Sequence, residues 1–341
     1  MYKKGIAIYV GMEKYSLKEN LEYIRLAKQL GYESVFSSAH INEASFEIQE
    51  LQILIDEISQ LEMKLSLDIS KKIYNKITLP KNIYALRLDY GFSHDEIIQI
   101  AKDNNFKVEI NASTFTKDAV LKLLDEGIKP TQLRASFNYY PKRHTGHTIE
   151  FCKEIVSFYH QIGTEVSGFI PSHTNYRPPM YEGLPTVEKH RNMSLNLAIE
   201  ELKLCGFDEI TFGDAYASKE ELMLLSNHQK EELLIEFSPY GGFNQFDYLL
   251  GVYKRRIDFN NELLRISKRQ SGILPFNANV KRKPYDLTID NDLFLRYSGE
   301  INIILQDLEP DERVNVVGHL HLSEFMIEYI KKGVPFCFIK N

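Results

Sequence analysis

The chain of 341 residues is longer than a typical single domain, and it fits a barrel of about 250 residues followed by a module of about 100. Hydrophobic residues make up 43% and charged residues 26%, which is typical of a soluble globular protein and excludes a disordered chain. The net charge of −6 provides no broad positive field for nucleic acid, and no apolar run approaches the roughly 20 residues that span a bilayer.

The cysteines and the amino-terminal segment indicate the compartment. Cys152, Cys205 and Cys337 lie far apart without CxxC spacing, so neither a disulfide framework nor a zinc site is predicted. The apolar run after Lys3 and Lys4 is too short for a secretory signal. We expect a cytoplasmic protein that needs no metal or cofactor.

Eight strand patterns alternate with helical patterns in the first 230 residues or so. The predicted strands are Gly5–Val10, Ser34–Ala39, Leu65–Ile69, Tyr84–Asp89, Lys107–Ile110, Gln132–Phe137, Glu165–Ile170 and Glu209–Phe212. The predicted helices are Leu17–Leu30, Ser45–Leu61, Ser93–Asn104, Lys117–Glu126, Thr148–Ile162, Val187–Cys205 and Lys219–Asn227. Because no GxGxxG follows the first strand, the pattern favours a closed (β/α)8 TIM barrel over an open doubly wound sheet.

The rhythm changes after Ile235, and from Gly241 onwards turn residues rather than regular helices separate short strand-like runs. These runs are Leu287–Ile289, Ile301–Leu305, Val314–Val317 and Phe336–Ile339. The pattern predicts an α/β barrel domain over residues 1–238 and a small β-rich domain over residues 239–341.

Several predicted strands of the barrel carry or end in polar residues. Strand alternation puts three polar sets on one face, namely Arg87 with Asp89, Glu109 with Asn111, and Arg134 with Ser136 and Asn138. The carboxyl ends of barrel strands meet at one mouth, so we expect a functional site there. The alternative is a buried network of paired charges that closes the barrel.

Asp214 and one long loop are further candidates. Asp214 follows Gly213, which lets a ligand or a neighbouring strand approach closely. A helix N-cap is the simpler role for this aspartate, but Ser218 fills that role more naturally. The loop 177–185 contains three prolines and carries Arg177, Tyr181 and Glu182. Long ordered loops tend to be functional, although a solvated connector is the alternative.

Two acids that face each other across the mouth would suit glycoside hydrolysis, and a guanidinium such as that of Arg177 can bind an anionic substituent. A sugar phosphate is the natural candidate. An aldolase or isomerase would need a lysine or a metal at the mouth, and no predicted strand end supplies such a lysine. A sugar-phosphate-binding protein without activity stays open as an alternative.

Several motifs give the chain a family resemblance. They are Leu86–Ser93, Ile110–Ser113, Asn138–Pro141 with Thr145 and Gly146, Tyr181–Arg191, and Gly213–Asp214, followed by Arg256–Asp258, Arg265–Arg269, Tyr297–Glu300 and Arg313–Gly318. In this order they resemble the 6-phospho-N-acetylmuramidase family, which is glycoside hydrolase family 170. The resemblance runs essentially end to end.

The resemblance implies a TIM barrel joined to a cyclophilin-like β-barrel. It also implies cytoplasmic cleavage of the β-1,4 bond in 6-phospho-N-acetylmuramyl-N-acetylglucosamine during peptidoglycan recycling, with no nucleic acid or membrane as partner. The alternative within this class is a glycosidase for a different phosphosugar. The oligomeric state, including a homodimer, stays open, as does the choice between retaining, inverting and substrate-assisted chemistry.

Three positions depart from the family pattern. Glu13 follows an apparent insertion after the first strand, Phe137 stands where a histidine is common, and the segment 253–256 replaces a His-x-Asn-Arg pattern. Together with the resemblance, the polar pattern predicts Asp89, Glu182 and Asp214 as the catalytic pool, with Asp214 and Glu182 as the first pair. The predicted substrate-binding residues are Arg87, Asn111, Asn138, Arg177, Tyr181 and Arg256, of which the asparagines hold sugar hydroxyls or the N-acetyl group, while Arg177 and Arg256 hold phosphate or the lactyl carboxylate.

Overall fold

The computed structural model describes residues 2–12, 14–39, 48–80, 83–258, 260–266 and 272–340. Its contacts divide the chain into two compact units, residues 1–229 and residues 230–341. The division falls earlier than the predicted boundary after residue 238, because the strand Leu233–Pro239 pairs with strands of the second unit. Within the described ranges, the helices are all too short or too polar to cross a bilayer.

The first unit is a closed barrel of eight parallel strands, which confirms the predicted TIM barrel. Its strands are β1 Lys3–Ile8, β2 Ser34–Ser38, β3 Lys64–Ser70, β4 Ala85–Tyr90, β5 Lys107–Asn111, β6 Leu133–Ser136, β7 Glu165–Ile170 and β8 Glu209–Phe212. Its helices are α1 Leu17–Gln29, α2 Ile48–Gln60, α3 Lys71–Tyr74, α4 His94–Asp103, α5 Lys117–Asp125, α6 Ile149–Gln161, α7 Leu195–Cys205 and α8 Lys219–Asn227.

Side chains at the helix starts set where several helices begin. Ser93 and Ser218 each form a capping box with the glutamate three residues later, and Ser218 is therefore the N-cap of α8 as predicted. The single predicted helix Val187–Cys205 is wrong. A 3-10 helix over Glu188–Asn192 comes first, and α7 begins only after Ser194, whose hydroxyl accepts from the Leu197 amide.

The deeper layers of the barrel interior contain paired charges rather than branched apolar side chains. Arg134 lies between two carboxylates, with Nη2 2.7 Å from Oε1 of Glu209 and Nε 2.9 Å from Oε2 of Glu109. Lys3 and Lys107 lie 2.5 and 2.7 Å from the Glu165 carboxylate. Although burial opposes its charge, hydrogen bonds from these two lysines lower the pKa of Glu165 to about 2. Glu109 and Arg134 therefore belong to a buried network of paired charges, which was the alternative to a functional site.

The second unit contains one six-stranded sheet in the order β10-β12-β11-β13-β9-β14. Its strands are β9 Leu233–Pro239, β10 Leu263–Ile266, β11 Asp286–Asp290, β12 Ile301–Ile304, β13 Val314–Leu320 and β14 Phe336–Lys340. Tyr253 bridges to Phe336 of β14 and Arg255 bridges to Ile266 of β10, so one segment contacts both edges of the sheet. The β-rich prediction is confirmed, and the likeness to cyclophilin stays a prediction.

The sequence reasoning for the second unit missed two strands and a helix. The strands are β9 and β10, and the helix is α9 at Glu324–Lys331. Ser323 starts α9, because its hydroxyl accepts from the Met326 amide. The expectation that turns alone separate the strands of this unit was therefore wrong.

We expect Arg134→Met to lower the free energy of unfolding of the barrel by about 3–5 kcal/mol, because it leaves two buried carboxylates without their cation. Urea unfolding monitored by circular dichroism measures this. The matched control is Arg25→Met, which removes an exposed pair with Glu57 and should cost less than about 1 kcal/mol. Equal losses in the two variants would contradict the ionic core.

Candidate active site

The strand register defines the layers of side chains that point into the barrel. In a layer perpendicular to the barrel axis, each strand is offset by one residue from its register partner on the preceding strand. The eight offsets add up to a shear of eight residues, as in other TIM barrels. One inward layer near the carboxyl ends of the strands is formed by Ala7, Asp68, Asn111 and Phe169. The layer beneath it is formed by Phe36, Arg87, Ser136 and Thr211.

Three predicted substrate-binding residues meet in these layers. Nη2 of Arg87 donates to Oδ1 of Asn138 at 2.5 Å, and Nδ2 of Asn111 donates to the same oxygen at 3.1 Å. Nη1 of Arg87 lies 3.4 Å from Oγ of Ser136, and the arginine is only 7% exposed. Among the described residues, the groups that accept these hydrogen bonds from Arg87, on Asn138 and Ser136, are neutral. The guanidinium therefore presents positive charge beside two amides, a combination that can bind an anionic, hydroxylated ligand.

Arg177 is held by two tyrosines. Its guanidinium carbon lies 4.6 Å from the centre of the Tyr9 ring and 5.0 Å from that of Tyr139, and Nη1 donates to the Tyr139 hydroxyl at 3.0 Å. Tyr9 in turn donates to the carbonyl of Gly213 at 2.6 Å, and burial raises the pKa of Tyr9 well above its usual value. Cation–π contacts and the hydrogen bond thus fix the position of this arginine.

Asp214 is buried and binds the backbone of the loop after β7. One carboxylate oxygen accepts from the amides of Ser172 and Leu184, both at 3.0 Å, and the other accepts from the amide of Arg177 at 3.1 Å. The residue is 1% exposed, and burial raises its pKa to about 6 even though these three amides oppose the rise. Asp214 therefore positions the loop that carries Arg177 and Glu182.

The predicted close approach at Gly213 is made by this same loop rather than by a neighbouring strand. A Cβ at Gly213 would lie 2.6 Å from the carbonyl oxygen of Leu184. A larger residue would displace the loop from the Asp214 carboxylate. Position 213 therefore requires glycine, because the loop bound by Asp214 passes too close for a side chain.

Arg191 and Glu188 form a second anchor that joins two loops. Arg191 donates to the carbonyls of Tyr140 at 2.9 Å and of Gly183 at 2.8 Å, and it is paired with Glu188 at 2.8 Å. The Glu188 carboxylate also accepts from the amide of Gly146 at 2.8 Å. Hydrogen bonds from Arg191 lower the pKa of Glu188 to about 2. Much of the motif 181–191 is therefore a scaffold for the mouth.

The other predicted site residues are exposed, form ion pairs, or lie outside the described residues. Glu182 is paired with Arg143 at 3.2 Å, and Tyr181 is 48% exposed. Arg256 lies in the second unit, where it forms ion pairs with Glu300 at 2.9 Å and Asp258 at 2.8 Å. The side chain of Asp89 and the whole of Glu13 lie outside the described residues.

Two departures from the family pattern are packing residues. Phe137 is fully buried, and its ring packs against Phe207 at 5.4 Å and His147 at 5.7 Å. Tyr253 is 5% exposed and packs against Phe336 and Phe338. Neither side chain is among the inward-facing residues of the mouth.

Sequence reasoning missed Asp68, Tyr9 and Tyr139. The signal for Asp68 was the alternation of Ser66, Asp68 and Ser70 in β3, which is the same polar pattern that identified Arg87. Oγ of Ser38 donates to Oδ2 of Asp68 at 3.1 Å. Among the described residues, no group of three or more His, Cys, Asp or Glu side chains is placed to hold a metal ion.

Comparisons with known proteins cover nearly the whole chain. Residues 4–227 match the family model described as 6-phospho-N-acetylmuramidase, N-terminal, and residues 233–339 match its C-terminal counterpart. No protein with a curated description matches significantly.

Two solved structures are similar over the full length. A conserved protein of unknown function from Enterococcus faecalis has 28% identity and a TM-score of 0.77, covering 99% of this chain and 96% of its own. An uncharacterized B. cereus protein has 25% identity and a TM-score of 0.85, covering 99% and 100%. Their descriptions assign no activity.

The raised pKa of Asp214 predicts a specific pH dependence. Between about pH 4 and pH 6, folded Asp214 retains a proton that the unfolded chain has lost, so its ionisation lowers the free energy of unfolding as pH rises through this window. Asp214→Asn cannot ionise and should lack this part of the slope. Urea unfolding at several pH values measures the difference between variant and wild type.

The matched control for this experiment is Glu188→Gln. Because the folded pKa of Glu188 is lowered to about 2, its contribution has the opposite sign and is lost as pH falls below the ordinary value of 4.5. A stability difference between Asp214→Asn and wild type that stays constant from pH 4 to pH 6 would contradict the burial of a titrating Asp214.

Proposed function

Because this chain belongs to the 6-phospho-N-acetylmuramidase family, we propose that it hydrolyses the β-1,4 bond of 6-phospho-N-acetylmuramyl-N-acetylglucosamine. The products are N-acetylmuramic acid 6-phosphate and N-acetylglucosamine. The proposal places this reaction in the cytoplasm, in the recycling of peptidoglycan. It requires a site that recognises two anionic groups, a phosphate and a lactyl carboxylate, on an N-acetylated sugar.

The observation that carries the proposal is the cluster of Arg87, Asn111 and Asn138 at the barrel mouth. A guanidinium hydrogen-bonded to neutral partners supplies charge for the phosphate or the carboxylate. The two neighbouring amides supply donors and acceptors for hydroxyls or the N-acetyl group. Arg177, held against Tyr9 and Tyr139, is a second fixed cation for the other anionic group.

Glycoside hydrolysis requires one carboxyl that protonates the leaving oxygen and a second that acts as nucleophile or base. Glu182 and Asp89 stay in the proposed catalytic pool. The contacts favour a different role for Asp214, since a residue that is 1% exposed and accepts three backbone amides has no surface to offer a substrate. We assign Asp214 the positioning of the loop that carries Glu182 and Arg177.

We expect the purified protein to cleave the phosphorylated disaccharide and to leave the unphosphorylated counterpart intact, with or without EDTA. Mass spectrometry of the products measures this. Binding of the phosphorylated disaccharide without cleavage would instead support a non-catalytic sugar-phosphate-binding protein. Cleavage of both disaccharides at equal rates would contradict the phosphate requirement.

We expect Arg87→Met to lower kcat/KM on the phosphorylated disaccharide by about 10- to 100-fold, because it removes charge-assisted hydrogen bonds of about 1.5–3 kcal/mol. Arg25→Met, on the exposed face of α1, is the matched control and should retain wild-type kinetics.

A second substrate that lacks the lactyl group shows which of the two anionic groups Arg87 binds. If Arg87 binds the lactyl carboxylate, the mutation should cost little on that substrate; if it binds phosphate, the cost should persist. A kcat/KM within twofold of wild type on both substrates would contradict a binding role for Arg87.

A further inference from the structure

Asp68 lies at the mouth of the barrel in a layer that already contains a proposed substrate-binding residue. It projects from β3 in the same inward layer as Asn111. Its Cα neighbours in the register are Ser38 of β2 and Arg87 of β4. It is 8% exposed, compared with 1% for Asp214. A ligand held by Arg87 and Asn111 would therefore have its sugar ring next to the Asp68 carboxylate.

Four other described carboxylates of the barrel make structural contacts. Glu109 and Glu209 share the guanidinium of Arg134, and both lie in layers further from the mouth. Glu165 is held by two lysines still deeper in the barrel, and Asp214 accepts three backbone amides. These contacts hold the four carboxylates in the framework rather than at the ligand. Asp68 differs from them in its position, because it lies in the inward layer that contains Asn111.

Neighbouring strands on both sides set the surroundings of Asp68. Oγ of Ser38 on β2 donates to Oδ2 of Asp68 at 3.1 Å. On the other side, Arg87 of β4 is the register neighbour of Asp68. A carboxylate at this position can act as the nucleophile or the base of a glycosidase.

We propose that Asp68 is a catalytic residue of this protein, the carboxylate that acts at the anomeric carbon of the phosphorylated sugar. The proposal rests on the proposed function. In the reaction, the bond between the anomeric carbon and the bridging oxygen breaks, and a separate acid delivers one proton to that oxygen, which leaves with N-acetylglucosamine.

Asp68 completes the reaction in one of two ways. As a base, it takes one proton from the water whose oxygen bonds to the anomeric carbon. As a nucleophile, its own oxygen forms that bond, and water then hydrolyses the resulting ester and regenerates the carboxylate. Both routes consume one water and need no further reactant.

The test compares Asp68→Ala with wild type on the phosphorylated disaccharide, with and without added azide. We expect kcat to fall on the order of 10³-fold and azide to restore turnover with formation of a glycosyl azide, because a small anion can occupy the space of the lost carboxylate. Asp56→Ala, an exposed carboxylate on α2, is the matched control and should keep wild-type kinetics and gain nothing from azide.

The outcomes separate this proposal from the function on which it rests. A wild-type protein that cleaves no phosphorylated disaccharide overturns the proposed function and Asp68 with it. An active wild type whose Asp68→Ala variant keeps more than about a tenth of kcat overturns Asp68 alone, as does a folded variant that is inactive and not rescued by azide.

A second variant keeps the test valid if Asp68→Ala does not fold. Asp68→Asn preserves the shape of the side chain, and we expect kcat to fall by at least about 100-fold with KM within about threefold of wild type. A rise in KM with an unchanged kcat would show a binding role and overturn the catalytic one.

Discussion

The barrel depends on the burial of Arg134 between Glu109 and Glu209. TIM barrels usually fill their interior with branched apolar side chains, whereas this one places charges there. Buried charges are tolerated only when they are paired with good geometry, so each carboxylate fixes where its cation must lie. A slip of one residue in any of these strands would turn the charged side chains away from their partners. The ionic layers therefore constrain the register, and the register determines which side chains reach the mouth.

Two backbone anchors then shape the mouth above these layers. The Asp214 carboxylate gathers three amides of the loop after β7, and Arg191 joins that loop to the segment after β6. Long loops lose much conformational entropy when they become ordered, and buried charge-assisted hydrogen bonds offset that loss. The loop carries Arg177 and Glu182, so the anchors link the framework of the barrel to the proposed chemistry.

Alternation within the strands was enough to predict the inward face, the barrel and most of the polar cluster. It could not separate Glu109 from Asn111, which share a face but differ by two positions, or about 7 Å along the strand. That distance decides between an ion pair in the core and a contact at the mouth. The height of a residue in a barrel depends on the register of all eight strands, which no local pattern contains.

Tertiary contacts also explain the other differences from the predictions. Asp214 was recognisable as a strand end, but the three amides that surround it come from residues 30 to 42 positions away in the chain. The apolar pattern that begins at Val187 predicted a continuous helix. His190 and Arg191 are instead drawn into contacts with Glu201 and Glu188, and α7 begins after Ser194.

The most direct test of the central claim is a crystal structure of the protein with bound N-acetylmuramic acid 6-phosphate. The account predicts the sugar at the barrel mouth, with its phosphate or lactyl carboxylate within about 3 Å of the guanidinium of Arg87 or Arg177 and its ring against Asn111 and Asp68. A sugar phosphate bound elsewhere, with these side chains free of contact to it, would contradict the assignment of the site.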